Sequence, residues 1–411
     1  MKVLHINTHA HGGAFNGAYR LHCALLKNGV KSKMLVLDDS AVPSTSLKEV
    51  YTYNEPFRKP NVLNRISTRM GWPVTAQQKR WNTIKCLKGQ YEIISFPFSD
   101  YDITQSKEFQ EADIINFHWF ANFLDYQSFF KKCKKPIVIT LRDLFSIQGI
   151  FHYNNDLVVN QKKFGEVEDA MRLFKSKAIS KRRSTITIVG ISQWITEQSL
   201  VSNIHKHFEH KTISNCIDTN QYQLYDKKAL KKEFNISENH TVFSFVSDGV
   251  LNNRKGVDIL VDAIKKMENN ENITFLTVGR GQVPQLPFNI VHRHLGSLNQ
   301  YELNKVYSVS DAFIFPTKEE ALGNVMLEAM ACGTPVIGTL VGGLLDVIKP
   351  GLNGLFSKDV SAEGIKTAIK EFIEIKNTFD SQKIRSYIQE NFSEDLIAKN
   401  YTKLYNKILK K

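Results

Sequence analysis

Residues 319–337 read EEALGNVMLEAMACGTPVI and follow an apolar strand signal that ends at Phe315. The pattern predicts a helix that begins near Gly323 and ends before a Gly-Thr-Pro stop signal. The first backbone N–H groups of a helix have no partner inside it, and here they belong to Asn324 and Val325. These groups and the helix dipole favour a phosphate at that place. The stretch therefore predicts a strand–turn–helix unit that binds phosphate.

Two glutamates lie on either side of this helix start. Glu328 falls about one turn into the helix, on the same face as Asn324, where its carboxylate can accept hydrogen bonds from ribose hydroxyls. Glu320 lies eight residues earlier, in the turn, where it can reach the hydroxyls of a hexose. The alternative is a pair of solvated acids beside a core helix, because this spacing is common by chance. Their place between Phe-Pro-Thr and Gly-Thr-Pro favours a nucleotide-sugar site.

The composition is that of an ordinary globular protein. The chain has 411 residues, of which 42% are hydrophobic and 23% charged, enough for two domains that each bury a core. No internal repeat occurs, and no apolar run reaches the roughly 18 residues needed to span a bilayer. Residues 1–7 read as a buried strand rather than a signal peptide, and the five cysteines are scattered. These features predict a cytoplasmic protein with reduced thiols.

Strand and helix signals alternate along the chain, which is typical of parallel α/β folds. A first series begins with strand Val3–Asn7, continues through a glycine-bearing loop, and gives a helix from Gly17 to Gly29. A second series begins with a strand at Thr241. The pattern predicts two Rossmann-like doubly wound domains that face each other across a cleft, with ligands at the carboxyl ends of the strands.

The predicted domain boundary lies in the segment between the two series. We expect a first domain at residues 1–217 and a second at 218–393. A last helix over 394–411 is expected to pack back on the first domain.

Together these motifs resemble the retaining glycosyltransferases of the GT-B fold, in glycosyltransferase family 4. The resemblance runs nearly full length and is densest over residues 241–356. The family's E-x7-E motif matches Glu320 and Glu328, and its downstream glycine pair matches Gly342 and Gly343. The resemblance implies a donor site in the second domain and an acceptor site in the first. It also implies transfer of a hexose from a UDP- or GDP-sugar with retention of anomeric configuration.

The segment Asn253-Arg254-Lys255-Gly256 is similar to the family's Arg-Lys-Gly turn. Cations there, just before a predicted helix, can pair with both phosphates of the donor and stabilise the departing nucleotide. The alternative is an exposed basic turn. Many relatives have a second arginine five or six residues before the lysine, where this chain has Gly249 and Val250. The division of work between Arg254 and Lys255 therefore stays open.

Gly12 and Gly13 lie in the predicted loop between the first strand and the first helix. In the family this loop faces the donor diphosphate, so the resemblance implies a binding role for both glycines. The alternative is a turn with close helix packing.

His118 follows a predicted strand over Ile114–Phe117 and is therefore expected near the ligand crevice. The family often has a histidine at this point, close to the sugar and the acceptor. A packed, hydrogen-bonded histidine beside Trp119 is an equally good interpretation. In the next segment Arg142 stands where the family has a histidine in Thr-Leu-His-Asp, which puts an inherited acceptor role in doubt.

Positive charge is concentrated in the first half of the chain. Of the formal net charge of +13, residues 1–217 contribute 30 basic against 18 acidic residues, while residues 218–411 contribute 24 against 23. Residues 57–88 contain eight basic residues and no acid, interleaved with apolar ones. One interpretation is peripheral contact with the anionic inner face of the plasma membrane. The other is a solvated elaboration of the first domain; nucleic-acid binding is disfavoured because no recognised module accompanies the charge.

These observations predict a hexosyltransferase that acts on a glycan acceptor in the assembly of a capsule or exopolysaccharide. The family context implies that this acceptor is linked to polyprenyl diphosphate. The alternatives are a nucleotide-sugar epimerase or phosphorylase of the same fold, or a relative that binds sugar nucleotides without catalysis. Asp100-Tyr101-Asp102 resembles a metal motif, but two acids make a thin site for Mg²⁺. We therefore predict no required metal and no cofactor besides the nucleotide-sugar co-substrate.

Overall fold

The structure is a computed structural model that describes residues 1–55, 70, 75–85, 87–267, 272–284, 286 and 290–410. The chain divides into two compact units: unit 1 is Met1–Ser214 with Ile397–Lys411, and unit 2 is Asn215–Leu396. Each unit is built on one parallel β-sheet with helices between the strands. The predicted α/β class with two Rossmann-like sheets is therefore confirmed.

Unit 1 has a seven-stranded parallel sheet. Its strands are β1 (Lys2–His9), β2 (Lys31–Asp38), β3 (Val50–Thr52), β4 (Ile114–Phe117), β5 (Ile137–Leu141), β6 (Ile186–Gly190) and β7 (Glu209–Thr212). Their order across the sheet is β3-β2-β1-β4-β5-β6-β7. The described helices of this unit are α1 (Gly12–Lys27), α2 (Ala76–Ile84), α3 (Lys107–Glu111), α4 (Tyr126–Lys132), α5 (Asn154–Ser180) and α6 (Gln193–Leu200).

Strand β1 lies inside this sheet between β2 and β4, where Val3 is paired with Ser32 on one side and Ile114 on the other. Its residues from Val3 to Thr8 are buried, as expected for a parallel strand covered on both faces. Because β4 and β5 continue the sheet in the same direction, the residues that follow them gather at one edge. His118 and Arg142 occupy those positions.

Helix α1 begins earlier than the sequence predicted. Gly12 and Gly13 are the first two residues of the helix, so the expected loop ending in a helix from Gly17 was wrong. The first turn of a helix has no intrahelical partners for its N–H groups, and glycine there does not interrupt any hydrogen-bonded turn. The two glycines are therefore part of the helix start itself.

Unit 2 has a six-stranded parallel sheet. Its strands are β8 (Thr241–Gly249), β9 (Ile273–Arg280), β10 (Val291–His294), β11 (Ala312–Phe315), β12 (Val336–Gly338) and β13 (Gly354–Phe356). Their order is β10-β9-β8-β11-β12-β13. The described helices of this unit are α7 (Lys227–Glu233), α8 (Val257–Lys265), α9 (Gln300–Val309), α10 (Asn324–Ala331), α11 (Leu344–Val347), α12 (Ala362–Ile375) and α13 (Ser381–Phe392).

Strand order in unit 2 explains how distant motifs become neighbours. Strands β8 and β11 are adjacent at the centre of the sheet, with Ala312 paired to Phe243. The turn after β8 carries Arg254 and Lys255, and the turn after β11 carries Glu320. Both turns leave the same edge of the sheet, so the topology brings the two motifs together.

The last helix, α14 (Glu394–Leu409), begins at the residue that the sequence predicted and ends at Leu409, before the predicted end at 411. From Ile397 onward it belongs to unit 1, where its buried tyrosines bond to the central strands. The Asn116 amide donates to the Tyr405 hydroxyl at 2.7 Å, and the Thr140 and Tyr401 hydroxyls lie 3.3 Å apart. Over the described part of the chain, no helix combines the length and apolarity that a bilayer crossing requires.

Candidate active site

The turn between β11 and α10 is shaped around a glycine. Gly323 precedes the first helical residue and has a φ of +90°, in the left-handed region that side chains disfavour. A Cβ at this position would lie 2.5 Å from Cε1 of Phe315, so a larger residue would displace the aromatic ring. The helix start carries no side-chain cap. The eight-residue helix α10 thus begins with backbone N–H groups of the kind that bind anions.

Glu320 is held by the two cations of the other turn. Its Oε2 accepts from Lys255 Nζ directly and from Arg254 Nη1 at 3.3 Å. Arg254 Nη1 also donates to the Glu319 carbonyl oxygen at 3.0 Å. All three side chains of the Glu320, Lys255 and Arg254 cluster are at most 20% exposed, so these charges interact with little screening by solvent.

The charge state of Glu320 follows from this arrangement. Burial by itself raises the pKa of the Glu320 carboxyl, but the charges of Lys255 and Arg254 outweigh it and bring the pKa below its ordinary value. The residue is therefore an anion at neutral pH and a weak base. Two cations around one carboxylate leave an excess positive charge next to the start of α10.

Backbone contacts lock the two turns together. The hydroxyl of Thr317 donates to the Arg254 carbonyl oxygen at 3.0 Å, and the backbone N–H of Lys318 donates to the same oxygen at 2.8 Å. The side chain of Asn252 accepts from the Arg254 backbone N–H at 3.0 Å. The positions of Arg254 and Lys255 are thus fixed by the backbone and do not depend on their side-chain ion pairs alone.

The glycine pair at 342–343 packs against the Glu320 turn. The Gly343 N–H donates to the Glu320 carbonyl oxygen at 3.0 Å. At Gly342, a Cβ would lie 1.9 Å from that same oxygen, a distance that no side chain tolerates. The sequence suggested this pair only through the family resemblance, and the structure gives its physical reason: only glycine lets the two backbones approach this closely.

Glu328 has a partner that sequence reasoning missed. The Tyr307 hydroxyl of α9 donates to Glu328 Oε2 at 3.1 Å, and both side chains are buried. Burial, together with the Glu328 charge, raises the pKa of Tyr307 well above its ordinary value, so the hydroxyl remains a donor. Nothing in the sequence pattern distinguishes Tyr307 from a core tyrosine.

Both ring nitrogens of His118 form hydrogen bonds with residues of unit 1. The guanidinium of an arginine can only donate hydrogen bonds. His118 Nδ1 therefore accepts from Arg142 Nη2, which lies 3.1 Å away. The protonated Nε2 of His118 then donates to His5 Nδ1 at 2.8 Å. Burial, helped by the Arg142 charge, lowers the pKa of His118 well below its ordinary value. The imidazole is neutral, and this geometry fits the packed interpretation of His118 better than that of a proton donor.

Gly12 and Gly13 lie at the same edge of the unit 1 sheet, beside a group of ring side chains. The rings of His9 and His11 have centroids 5.2 Å apart, and the rings of His9 and Trp119 are separated by 5.3 Å. The predicted site residues therefore fall in two groups. One group in unit 2 contains the two glutamates, the two cations and the start of α10, and the other in unit 1 contains His118 and the two glycines.

The acids of the Asp100-Tyr101-Asp102 segment have structural roles. The Asp100 carboxylate accepts from the Ala76 N–H at the start of α2, and Asp102 forms an ion pair with Lys132. Within the described ranges, no group of three or more His, Cys, Asp or Glu side chains is arranged to hold a metal ion.

A family model and several curated proteins match parts of the chain. Residues 226–391 match the family model described as Glycosyl transferases group 1. N-acetyl-alpha-D-glucosaminyl L-malate synthase from Bacillus anthracis is 29% identical over 224 residues, which cover 52% of this chain and 58% of that protein. The capsular polysaccharide biosynthesis glycosyltransferase CapM from Staphylococcus aureus is 24% identical over 242 residues, with 54% and 62% covered. The chain thus spans about half the length of the curated relatives it matches.

Solved structures resemble the chain over nearly its whole length. Sucrose-phosphate synthase from Thermosynechococcus elongatus aligns with a TM-score of 0.69 at 15% identity and covers 99% of each chain. HepE from Anabaena, in complex with UDP and glucose, aligns with a TM-score of 0.67 at 17% identity and covers 99% of this chain and 100% of its own. At these identities the likeness shows the fold, which is GT-B. Residues 226–391 thus resemble the group 1 glycosyltransferases.

Proposed function

We propose that this chain, whose residues 226–391 match the Glycosyl transferases group 1 family, transfers a hexose from a UDP- or GDP-sugar to a hydroxyl acceptor and retains the anomeric configuration. The observation that carries the proposal is the convergence of Glu320, Arg254 and Lys255 beside the uncapped start of α10. A nucleoside diphosphate needs cations and N–H donors, and the sugar needs a hydroxyl acceptor. HepE, a structural neighbour, is described with UDP and glucose, which supports this class of donor.

The roles of the residues follow from their charges. Lys255 and Arg254 stabilise the negative charge that develops on the diphosphate as its bond to the sugar breaks. The start of α10, at Asn324 and Val325, donates N–H groups to the same phosphates. Glu328, oriented by Tyr307, accepts from the ribose hydroxyls.

Glu320 positions the hexose and does not attack it. Its carboxylate is bonded to two cations that lower its pKa, and both effects reduce its strength as a nucleophile or base. The acceptor hydroxyl then attacks from the face of the leaving group, and the departing phosphate oxygen takes its proton. This route requires no covalent enzyme intermediate and is consistent with retention.

The acceptor is proposed to be a lipid-linked glycan in surface polysaccharide assembly. CapM, a capsular polysaccharide enzyme by its name, supports this setting, and so does the basic first half of the chain. A small hydroxy acid is the second acceptor class, because the relative from Bacillus anthracis is named as an L-malate synthase. The predicted membrane contact through 57–88 lies largely outside the described residues, and a cytoplasmic or inner-face location remains part of the proposal.

Nucleotide release by the purified chain tests this function. With a panel of UDP- and GDP-sugars, we expect release of one nucleotide that rises when a membrane extract or L-malate supplies the acceptor. Interconversion of the donor without an acceptor would instead identify an epimerase, and donor binding without any release would identify a non-catalytic relative. The Asp248→Asn variant, which alters an exposed ion pair of unit 2, serves as the control and should behave as the unchanged chain.

A further inference from the structure

Asn215, the first residue of unit 2, contacts the first residue of α10. The side chain of Asn215 is only 6% exposed, and its Nδ2 donates to Asn324 Oδ1 at 2.8 Å. The two residues are 109 positions apart in the chain. A buried amide is costly unless it is hydrogen bonded, so this bond helps to fix the orientation of both side chains.

The bond from Asn215 decides which way the Asn324 amide faces. An asparagine amide is planar and carries an acceptor oxygen on one branch and two N–H donors on the other. Because Asn324 Oδ1 accepts from Asn215, the NH2 group of Asn324 lies on the opposite branch and is turned away from Asn215. This NH2 group belongs to the first turn of α10, whose backbone N–H groups are proposed to bind phosphate.

The segment that begins at Asn215 is also joined to the other end of α10. Arg385 of α13 donates to the carbonyl oxygen of Ala331, the last residue of α10, and to that of Thr219 at 2.7 Å. The first of these bonds satisfies a carbonyl group that the helix end leaves without an internal partner. Contacts at both ends of α10 therefore fix the position of Asn215 relative to the start of the helix.

We propose that Asn215 is a positioning residue for the diphosphate of the donor, an inference that rests on the proposed function. By donating to Oδ1, Asn215 holds the NH2 group of Asn324 in the orientation that donates to a phosphate oxygen. The amide oxygen, which would repel an anion, is held on the other side. The donor phosphates thereby gain one N–H donor beyond those of the helix backbone.

The alternative is that the pair of asparagines only holds the chain against α10. Other bonds already do so, because the Ile217 N–H donates to the Phe392 carbonyl oxygen at 2.9 Å, in addition to the contacts of Arg385. Loss of the Asn215 side chain should therefore leave unit 2 folded and change the orientation of the Asn324 amide.

Binding of UDP and GDP, measured by calorimetry, tests the proposal without requiring transfer. For the nucleotide that the unchanged chain binds, Asn215→Ala should raise Kd about fivefold, the effect of one hydrogen bond. Asn324→Ala should have at least that effect. Addition of Asn215→Ala to Asn324→Ala should change Kd no further, since no amide is left to orient.

Two aspartate variants separate positioning from packing. Asn215→Asp keeps the size of the side chain but can only accept, so the Asn324 amide turns its NH2 group toward residue 215 and binding should weaken more than in Asn215→Ala. In Asn324→Asp, a carboxylate in the first helical turn still accepts from Asn215 and suits the helix dipole, so the melting temperature should not fall. The same charge repels the diphosphate, so Kd should rise at least about tenfold. A purely structural role would make stability and binding change together.

Controls in unit 2 complete the test. Asn220→Ala changes an exposed residue of the segment after Asn215 and should bind as the unchanged chain does, whereas Lys255→Ala should bind more weakly. Melting curves check that each variant is folded. If Lys255→Ala weakens binding while the Asn215 and Asn324 variants do not, the positioning role is overturned and the proposed function stands. Additive effects of Asn215→Ala and Asn324→Ala also overturn it, and an unchanged chain that binds neither UDP nor GDP overturns it together with the proposed donor site.

Discussion

Lys255 donates directly to the carboxylate of Glu320, although the two residues are 65 positions apart in the chain. Arg254 reaches the same carboxylate oxygen at 3.3 Å. A diphosphate that binds here must share these cations with Glu320. Under the proposed function, this geometry would couple the donor phosphates to the residue that positions the sugar.

Removal of the lysine charge should slow turnover strongly. In the Lys255→Ala variant, the charge that develops on the diphosphate loses its nearest cation, and we expect kcat to fall about 100- to 1,000-fold. The Glu320→Gln variant should also abolish transfer, because the amide no longer bonds the hexose hydroxyls and the cations in the same way. The measurement is nucleotide release, with melting curves to show that both variants are folded.

Lys265→Ala is the matched control for this pair. Lys265 lies on α8 at the surface, where it pairs only loosely with Asp262 at 4.0 Å. Its removal should leave kcat unchanged. Normal turnover in Lys255→Ala would remove that residue from the proposed mechanism.

Tyr307 is expected to act through Glu328. The Tyr307→Phe variant deletes the hydroxyl that orients the carboxylate, which is worth about 1 kcal/mol. We expect the KM for the donor to rise roughly fivefold with little change in kcat. The variant should also discriminate less between a ribose nucleotide and its deoxyribose analogue.

The control is Tyr405→Phe, which deletes a buried tyrosine hydroxyl of unit 1 that accepts from Asn116. This change should lower thermal stability without altering nucleotide discrimination. If both variants change KM by the same factor, Tyr307 has only a structural role.

The glycine pair predicts a contrast between two alanine variants. Gly342 and Gly351 both have positive φ, at 52° and 80°, but only Gly342 is crowded. Gly351→Ala should cost about 1 kcal/mol of stability from backbone strain and retain activity. Gly342→Ala should lose the same stability from backbone strain and should also displace the turn that carries Glu320. Turnover should therefore fall in Gly342→Ala and be retained in Gly351→Ala. Equal activities would show that the close approach does not matter for the site.

The buried histidines of unit 1 predict a dependence of stability on pH. Burial lowers the pKa of His22 from 6.5 to about 4, so the unfolded chain takes up a proton more readily than the folded one. The stabilisation is therefore complete above about pH 6.5 and is lost as the pH falls toward 4. The loss in free energy of unfolding should amount to about 3 kcal/mol.

Urea unfolding at neutral and acid pH measures this loss. The His22→Gln variant should be less stable at pH 7, because its bond to Ser32 is weakened, and should show a shallower dependence on pH. The control His207→Gln changes an exposed histidine and should keep the original slope. An unchanged slope in His22→Gln would contradict the assignment.

The fold could be predicted because its signals are local. Alternating strand and helix patterns predicted the α/β class. The position of α10 was predicted from Gly323, which precedes the helix, and from the Gly-Thr-Pro stop signal that follows it. The predicted start of α1 at Gly17 was wrong because glycine disrupts a helix only in its interior. Gly12 and Gly13 lie in the first turn of α1, where they are tolerated.

Contacts within the site could not be predicted in the same way. The sequence suggested Glu320 and Lys255 as separate motifs, but the ion pair between them depends on β8 and β11 lying side by side. The bond from Tyr307 to Glu328 likewise depends on how α9 packs on α10. For His118 the two interpretations were equal until its partners Arg142 and His5 were known.

The order in which the ribosome delivers the chain has a consequence for unit 1. Its final helical piece, from Ile397 onward, is synthesised after all of unit 2, yet Tyr401 and Tyr405 bond to strands made long before. The strands of the unit 1 sheet are therefore made long before the two tyrosines that bond to them. Asn116 and Thr140 lack these two hydroxyl partners until residues 401 and 405 are made, and a stop codon at position 397 would leave all of unit 2 but remove the helical piece that completes unit 1.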